Sequence, residues 1–120
     1  MLDVTAKPRT CFQTPDTHFG EDFAGSKMWN PNTPLSEDCL YLTVVSPEGA
    51  RNAAVMVWIH GGGFVSGTST LDIYDYASLA AEQGVVVAAM QYRVGPLGFL
   101  YLNGQVQGNA GMAALDSSRM

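Results

Sequence analysis

The residues with the clearest chemical potential form a glycine turn, His60-Gly61-Gly62-Gly63-Phe64, directly after an apolar run. Because glycine has no side chain, the backbone of such a turn can approach a ligand closely and direct its N–H groups toward it. A flexible loop is the simpler interpretation of three glycines taken alone. Their position after a strand and after His60 favours an oxyanion-hole turn, whose amides stabilise negative charge on a carbonyl oxygen.

The oxyanion-hole turn of lipases and esterases acts together with a nucleophilic serine on a Gly-x-Ser-x-Gly elbow, a histidine base and a carboxylate. No such pentapeptide occurs in the chain, and the nearest segment, Gly67-Thr68-Ser69-Thr70-Leu71, lacks the final glycine. The sequence gives less support for phosphate binding by the glycines than for a flexible loop, because neither the Walker pattern nor Gly-x-Gly-x-x-Gly is present. We therefore expect the chain by itself to hydrolyse no ester.

Three predicted strands and one predicted helix position this turn. The helix covers 75–83, with Asp72 or Asp75 as its N-cap and Gly84 just after its end. The strands are β-branched, aromatic or continuously apolar, and they cover 39–45, 53–59 and 85–90. The second and third strands are predicted to be buried on both faces.

The order of strand, glycine loop, helix and strand is that of a βαβ crossover. It predicts an α/β fold with a mainly parallel sheet and with ligand chemistry at the carboxyl ends of the strands. Residues 1–38 show neither helical nor alternating periodicity and are expected to form a long irregular segment. A segment of this kind inside a compact domain is usually functional or tied down by a crosslink. Cys11 and Cys39 are either one such bridge or two free thiols, and their spacing alone does not decide between them.

Composition excludes several classes of protein. The chain has 120 residues, of which 47% are hydrophobic, so disorder is not expected. Its six basic residues are scattered and its net charge is −5, which argues against a nucleic-acid partner. No apolar run approaches the roughly 20 residues of a membrane span, and the N-terminus lacks the apolar segment of a secretory signal. Two cysteines without a histidine cluster make a poor metal site, so no metal or cofactor is expected.

The sequence resembles the type B carboxylesterases, and within them the cholinesterases. Four segments in family order carry the resemblance, which extends from about the first cysteine to Met112. They are Met28-Trp29-Asn30-Pro31-Asn32, Ser36-Glu37-Asp38-Cys39-Leu40-Tyr41-Leu42, Trp58-Ile59-His60-Gly61-Gly62-Gly63-Phe64 with Ser66-Gly67-Thr68-Ser69-Thr70-Leu71-Asp72, and Gln91-Tyr92-Arg93-Val94-Gly95 with Leu97-Gly98-Phe99-Leu100. The resemblance implies a partial α/β-hydrolase fold with an irregular, disulfide-closed N-terminal loop.

The resemblance also implies roles for particular residues. Gly62 and Gly63 match the two glycines whose amides form the oxyanion hole. Trp29 matches the tryptophan that receives a quaternary ammonium on its indole face, and Asp16 resembles the acidic residue at the rim of the substrate gorge. Cys11 and Cys39 match a family disulfide. By the same match His60 is not the catalytic histidine, and all three catalytic residues fall after Met120.

We therefore expect residues 1–120 to be part of one domain, without its N-terminal start and its C-terminal catalytic part. Three hypotheses for the parent protein follow: a serine esterase that hydrolyses choline or related esters, a non-catalytic cholinesterase-like adhesion protein, and a generic carboxylesterase. The complete glycine run favours an enzyme, and Met28-Trp29-Asn30-Pro31 favours a cholinesterase. Val65 and Thr14 replace aromatic residues that are common at the rim. Secretion or a cell-surface location is implied by the resemblance alone.

Overall fold

The computed structural model describes residues 6–18, 20 and 23–100. Five strands and three helices lie in these ranges. In chain order they are β1 (Thr10–Cys11), α1 (Ala24–Lys27), β2 (Leu35–Ser36), β3 (Leu42–Val45), β4 (Val55–Ile59), α2 (Tyr76–Gln83), β5 (Val86–Met90) and α3 (Gly95–Phe99). The predicted strands and helix therefore have counterparts in β3, β4, β5 and α2, with β3 starting later than expected.

The main sheet contains three strands in the order β3-β5-β4. Strands β4 and β5 are parallel, in register from Val55 with Val86 to Ile59 with Met90, as a βαβ crossover through α2 requires. Strand β3 runs antiparallel to β5. The described sheet is therefore mixed: the pair formed through the βαβ crossover is parallel as predicted, and the pair with β3 is antiparallel. The β-branched composition of β3 fits either polarity, and an antiparallel edge strand on a parallel sheet is common.

The strands differ in burial. In β5 the side chains alternate, and Val87 and Ala89 are almost fully buried. Every residue of β4 is exposed, with Val55 and Ile59 each at 63%. Helix α2 packs on β5 and β3, and its Tyr76 ring also contacts the Trp58 ring of β4, with centroids 6.4 Å apart. The prediction that β4 and β5 are buried on both faces applies to a larger sheet than the three described strands, so it stays a prediction.

Helix α2 begins and ends as its sequence predicts. The Asp75 carboxylate accepts a hydrogen bond of 2.9 Å from the backbone N–H of Ser78, so Asp75 rather than Asp72 is the N-cap. Gly84 ends the helix in the left-handed conformation with φ of +64°. Ala80 is buried on the side of the helix that packs on the sheet.

The described part of the N-terminal segment is irregular apart from short elements, as predicted for residues 1–38. Strands β1 and β2 pair in parallel, and a disulfide joins Cys11 to Cys39. Both cysteines are buried, so the crosslink lies inside the fold rather than on its surface. Of the two alternatives left open by the spacing, the bridge is the one that forms.

A buried polar cluster connects this segment to the sheet. The Thr10 hydroxyl lies 3.1 Å from that of Thr68, and the Thr68 and Thr70 hydroxyls are 2.8 Å apart. The Gln91 amide donates to the Thr68 hydroxyl at 2.7 Å and accepts from the backbone N–H of Ser69 at 3.0 Å. Nearly all of these polar atoms are paired, so their burial is compensated and the three segments are fixed relative to one another.

None of the helices in the described ranges has the length and apolar composition needed to span a bilayer.

Candidate functional site

The glycine turn adopts a backbone conformation that requires glycine at position 62. Gly62 has φ of +122°, and a Cβ atom placed there would lie 2.0 Å from the carbonyl oxygen of Ser66. Gly63 has φ of +58°, and a Cβ atom there would have no neighbour within 4 Å. A side chain is therefore excluded sterically at Gly62, whereas at Gly63 it meets only the restriction on φ.

Hydrogen bonds inside the turn use its carbonyl groups. The Gly62 carbonyl accepts from the backbone N–H groups of Val65 and Ser66, each at 3.1 Å. Neither the Gly62 amide nor the Gly63 amide donates a hydrogen bond to any residue in the described part of the chain. Both glycines are also exposed, so two backbone donors are available to a ligand at this turn.

His60 closes the turn on the strand side. Its ring is buried and stacks on Tyr92 with centroids 4.2 Å apart, and the Tyr92 hydroxyl donates to the His60 carbonyl at 2.6 Å. Because a carbonyl only accepts, the 2.9 Å contact between Nδ1 and the Gly61 oxygen places the proton on Nδ1. Burial lowers the pKa of His60 and so favours the neutral ring.

Gly67, three residues after the end of the turn, packs back against Gly61 and His60 at its start. A Cβ atom at Gly67 would lie 2.2 Å from the Gly61 carbonyl oxygen and 2.6 Å from His60 Nδ1, so the two ends of the turn are in direct contact. The side-chain amide of Gln13 pairs with both backbone groups of Gly67, donating to its carbonyl at 2.8 Å and accepting from its N–H at 2.8 Å. The disulfide-closed segment thus reaches the glycine turn directly.

Trp29 and Asp16 lie on neighbouring loops. The Trp29 side chain is 53% exposed and Asp16 is also exposed. The Asn30 amide bonds both backbone groups of Asp16, accepting from its N–H and donating to its carbonyl, each at 2.8 Å. Asn30 therefore ties the loop that carries Trp29 to the loop that carries Asp16. Within the described ranges no hydrogen bond or ring contact joins either residue to the glycine turn.

The serine of the nearest elbow-like segment is not placed as a nucleophile. Ser69 is buried and its hydroxyl has no partner among the described residues. Its backbone is held in the buried polar cluster, whereas a nucleophilic serine stands exposed on a strand-to-helix turn. His18 is exposed. Among the described residues, no three His, Cys, Asp or Glu side chains are placed to hold a metal.

The sequence profile of the Carboxylesterase family matches residues 1–116. The chain belongs to this family. Membership accounts for the strand, glycine turn, helix and strand around β4 and β5, which are part of the α/β-hydrolase fold. The described residues of this family member form only a small mixed α/β part of that fold.

Several curated proteins resemble this carboxylesterase-family chain. Acetylcholinesterase 1 of Caenorhabditis elegans is 54% identical over 115 residues, which cover 92% of this chain and 18% of that protein. Acetylcholinesterase 1 of Caenorhabditis briggsae is also 54% identical, with the same coverage. Acetylcholinesterase of Electrophorus electricus is 48% identical over 118 residues, or 97% of this chain and 18% of that protein. The chain thus spans under a fifth of the length of the relatives it matches.

Residue types alone did not reveal the polar contacts that support the candidate site of this family member. Gln13 bonds the backbone of Gly67, and Asn30 bonds the backbone of Asp16. Gln91 joins the buried polar cluster from the end of β5. In the sequence each of these three residues is an ordinary amide side chain. Only its position, near a candidate site residue or at the end of a strand, could have indicated that it supports the site.

Proposed function

We propose that this chain forms the oxyanion-hole and cation-binding part of a serine ester hydrolase that acts on choline or related carboxylic esters. The observation that carries the proposal is the glycine turn, in which the Gly62 and Gly63 amides are exposed and have no acceptor in the described part of the chain. Gly62 tolerates no side chain because a Cβ atom would overlap the Ser66 carbonyl oxygen, so this conformation of the turn depends on glycine at that position.

In this function the two amides bind the carbonyl oxygen of the ester. When a nucleophile attacks the carbonyl carbon, negative charge develops on that oxygen, and preorganised N–H donors stabilise it without having to reorient. Losing one such donor reduces kcat by about 100- to 1000-fold. The serine, histidine and carboxylate are expected beyond Met120, in the longer protein that carries this chain.

Trp29 and Asp16 serve the positively charged part of the substrate. An exposed indole face attracts a quaternary ammonium through its quadrupole, a cation–π contact worth about 0.5 to 2 kcal/mol. The Asp16 side chain accepts from the backbone N–H of His18 at 2.9 Å, which orients its carboxylate on an exposed loop. A choline ester fits these groups, and the similarity to proteins named acetylcholinesterases supports this choice of substrate.

The test is made in the full-length protein that carries this chain, with two substrates of equal size: a choline ester and its neutral 3,3-dimethylbutyl analogue. Replacing Trp29 with alanine is expected to weaken the charged substrate about five- to thirtyfold and the neutral substrate much less, because only the ammonium contributes a cation–π term. Trp29→Phe, which keeps an aromatic face, is the matched control. Its loss of binding for the charged substrate should be smaller than that of Trp29→Ala.

Equal losses for both substrates would make Trp29 structural and would favour a generic carboxylesterase. Full-length protein that binds the choline ester but turns over neither substrate would favour the non-catalytic binding protein. We also propose secretion or cell-surface exposure for the parent, which the Cys11–Cys39 bridge supports because such bridges persist in oxidising compartments.

A further inference from the structure

We propose that Gln13 is a positioning residue that fixes the direction of the oxyanion-hole amides. The inference rests on the proposed function only for its catalytic consequence, since the contacts themselves belong to the fold. Gln13 lies two residues after Cys11, in the segment closed by the disulfide, and its side chain reaches Gly67 across 54 positions of sequence.

The direction of the Gly62 N–H is set by the carbonyl of Gly61. These two groups belong to one planar peptide unit, so fixing the oxygen fixes the hydrogen on the opposite side. The Gly61 oxygen is held by His60 Nδ1 at 2.9 Å and is packed so closely against Gly67 that a Cβ atom there would lie 2.2 Å away. The backbone of Gly67 is therefore one wall of the pocket that holds this peptide unit.

The Gly63 N–H is fixed in the same way through the carbonyl of Gly62. That carbonyl accepts from the N–H groups of Val65 and Ser66, the two residues that lead into Gly67. A shift of Gly67 therefore displaces both peptide units, one through packing and one through hydrogen bonds.

Gln13 holds Gly67 against such a shift. Its amide makes two hydrogen bonds of 2.8 Å to the Gly67 backbone, and its nitrogen also donates to the Cys11 carbonyl at 3.1 Å. Cys11 is itself fixed by the disulfide and by its place in β1. Thr68, the next residue along, is held in the buried polar cluster, so Gln13 acts where a fixed segment meets the turn.

The experiment uses the full-length protein with Gln13→Met, which keeps the size of the side chain and removes its hydrogen bonds. Gln83→Met is the matched control, because Gln83 is an exposed glutamine on α2 for which the described residues offer no hydrogen-bond partner. Hydrogen exchange is followed at the Val65 and Ser66 amides, and kcat and KM are measured with a small neutral ester.

We expect Gln13→Met to speed exchange at Val65 and Ser66 about tenfold. It should lower kcat about ten- to hundredfold, less than the loss of a whole oxyanion donor, and change KM less than twofold. Gln83→Met should change none of these quantities. If Gln13→Met does not fold, Gln13→Glu replaces it: the glutamate keeps an acceptor for the Gly67 N–H, but its carboxylate cannot donate to the two carbonyls and repels their oxygens, so changes in the same direction are expected.

Unchanged exchange, or a change in KM with kcat preserved, would overturn the positioning role. If the unmodified protein hydrolyses no ester, the proposed function fails, while the exchange rates still decide whether Gln13 holds the turn.

Discussion

Alanine substitutions at Gly62 and Gly63 add the same methyl group to adjacent residues and should have very different consequences. At Gly62 the φ of +122° lies outside the left-handed region that alanine tolerates, which costs about 1–3 kcal/mol. Overlap of the new Cβ with the Ser66 carbonyl oxygen, 2.0 Å away, forces the turn to shift and adds about 1–3 kcal/mol. The total loss for Gly62→Ala is therefore about 2–6 kcal/mol.

At Gly63 the left-handed φ of +58° is one that alanine adopts at a cost of about 1–2 kcal/mol, and the new methyl group meets no atom within 4 Å. Gly49→Ala is the matched control, because Gly49 also has a positive φ, of +70°, and open space around its Cβ position. It should cost about as much as Gly63→Ala.

The measurement is the free energy of unfolding in urea of the full-length protein that carries this chain, compared among the three variants at equal m value. Gly62→Ala should be less stable than the other two by about 1–4 kcal/mol. Equal losses in all three variants would refute the contact between Gly62 and Ser66, and a larger loss in Gly63→Ala would refute the described geometry of the turn.

Three further predictions concern the chain as a whole. Burial lowers the pKa of His60, so this side chain binds fewer protons in the folded state than in the unfolded state. The free energy of unfolding should therefore fall as the pH drops below about 6.5. Replacing His60 with glutamine should remove this part of the pH dependence, and the control His18→Gln should leave it in place. Replacing Cys11 and Cys39 with serine should cost about 3–4 kcal/mol of unfolding free energy by loop entropy, and mass spectrometry that finds both as free thiols after secretion would contradict a structural bridge. Expressed alone, the chain should bind ANS and melt without a cooperative transition, because both faces of β4 are exposed; a sharp two-state curve from a soluble monomer would contradict this.

The parts of the fold that could be predicted are those with local signals. The cap at Asp75 and the glycine at position 84 depend on residues within one turn of the helix, so the limits of α2 were readable from the sequence. The apolar runs that became β4 and β5 were likewise visible, and the order of elements between them fixed their parallel pairing. The disulfide depended on the family resemblance, because spacing left free thiols equally open.

The features that could not be predicted depend on contacts between distant segments. Strand β3 pairs with β5 in the antiparallel direction, and a β-branched composition does not predict strand direction. Gln13 was missed because a side chain that bonds a distant backbone follows no period along the chain.

The buried polar cluster implies an order of assembly during synthesis. Cys11 and Cys39 are separated by 28 positions, so in an oxidising compartment their crosslink can close soon after Cys39 leaves the translocation channel. The Gln91 side chain, by contrast, donates to the Arg9 carbonyl across 82 positions, and at about 5–20 residues per second the ribosome needs several more seconds to deliver it. We expect trapping of nascent chains with a thiol reagent to find the bridge before Gln91 has emerged. The disulfide-closed loop therefore forms before the Gln91 side chain is available to anchor it to the sheet.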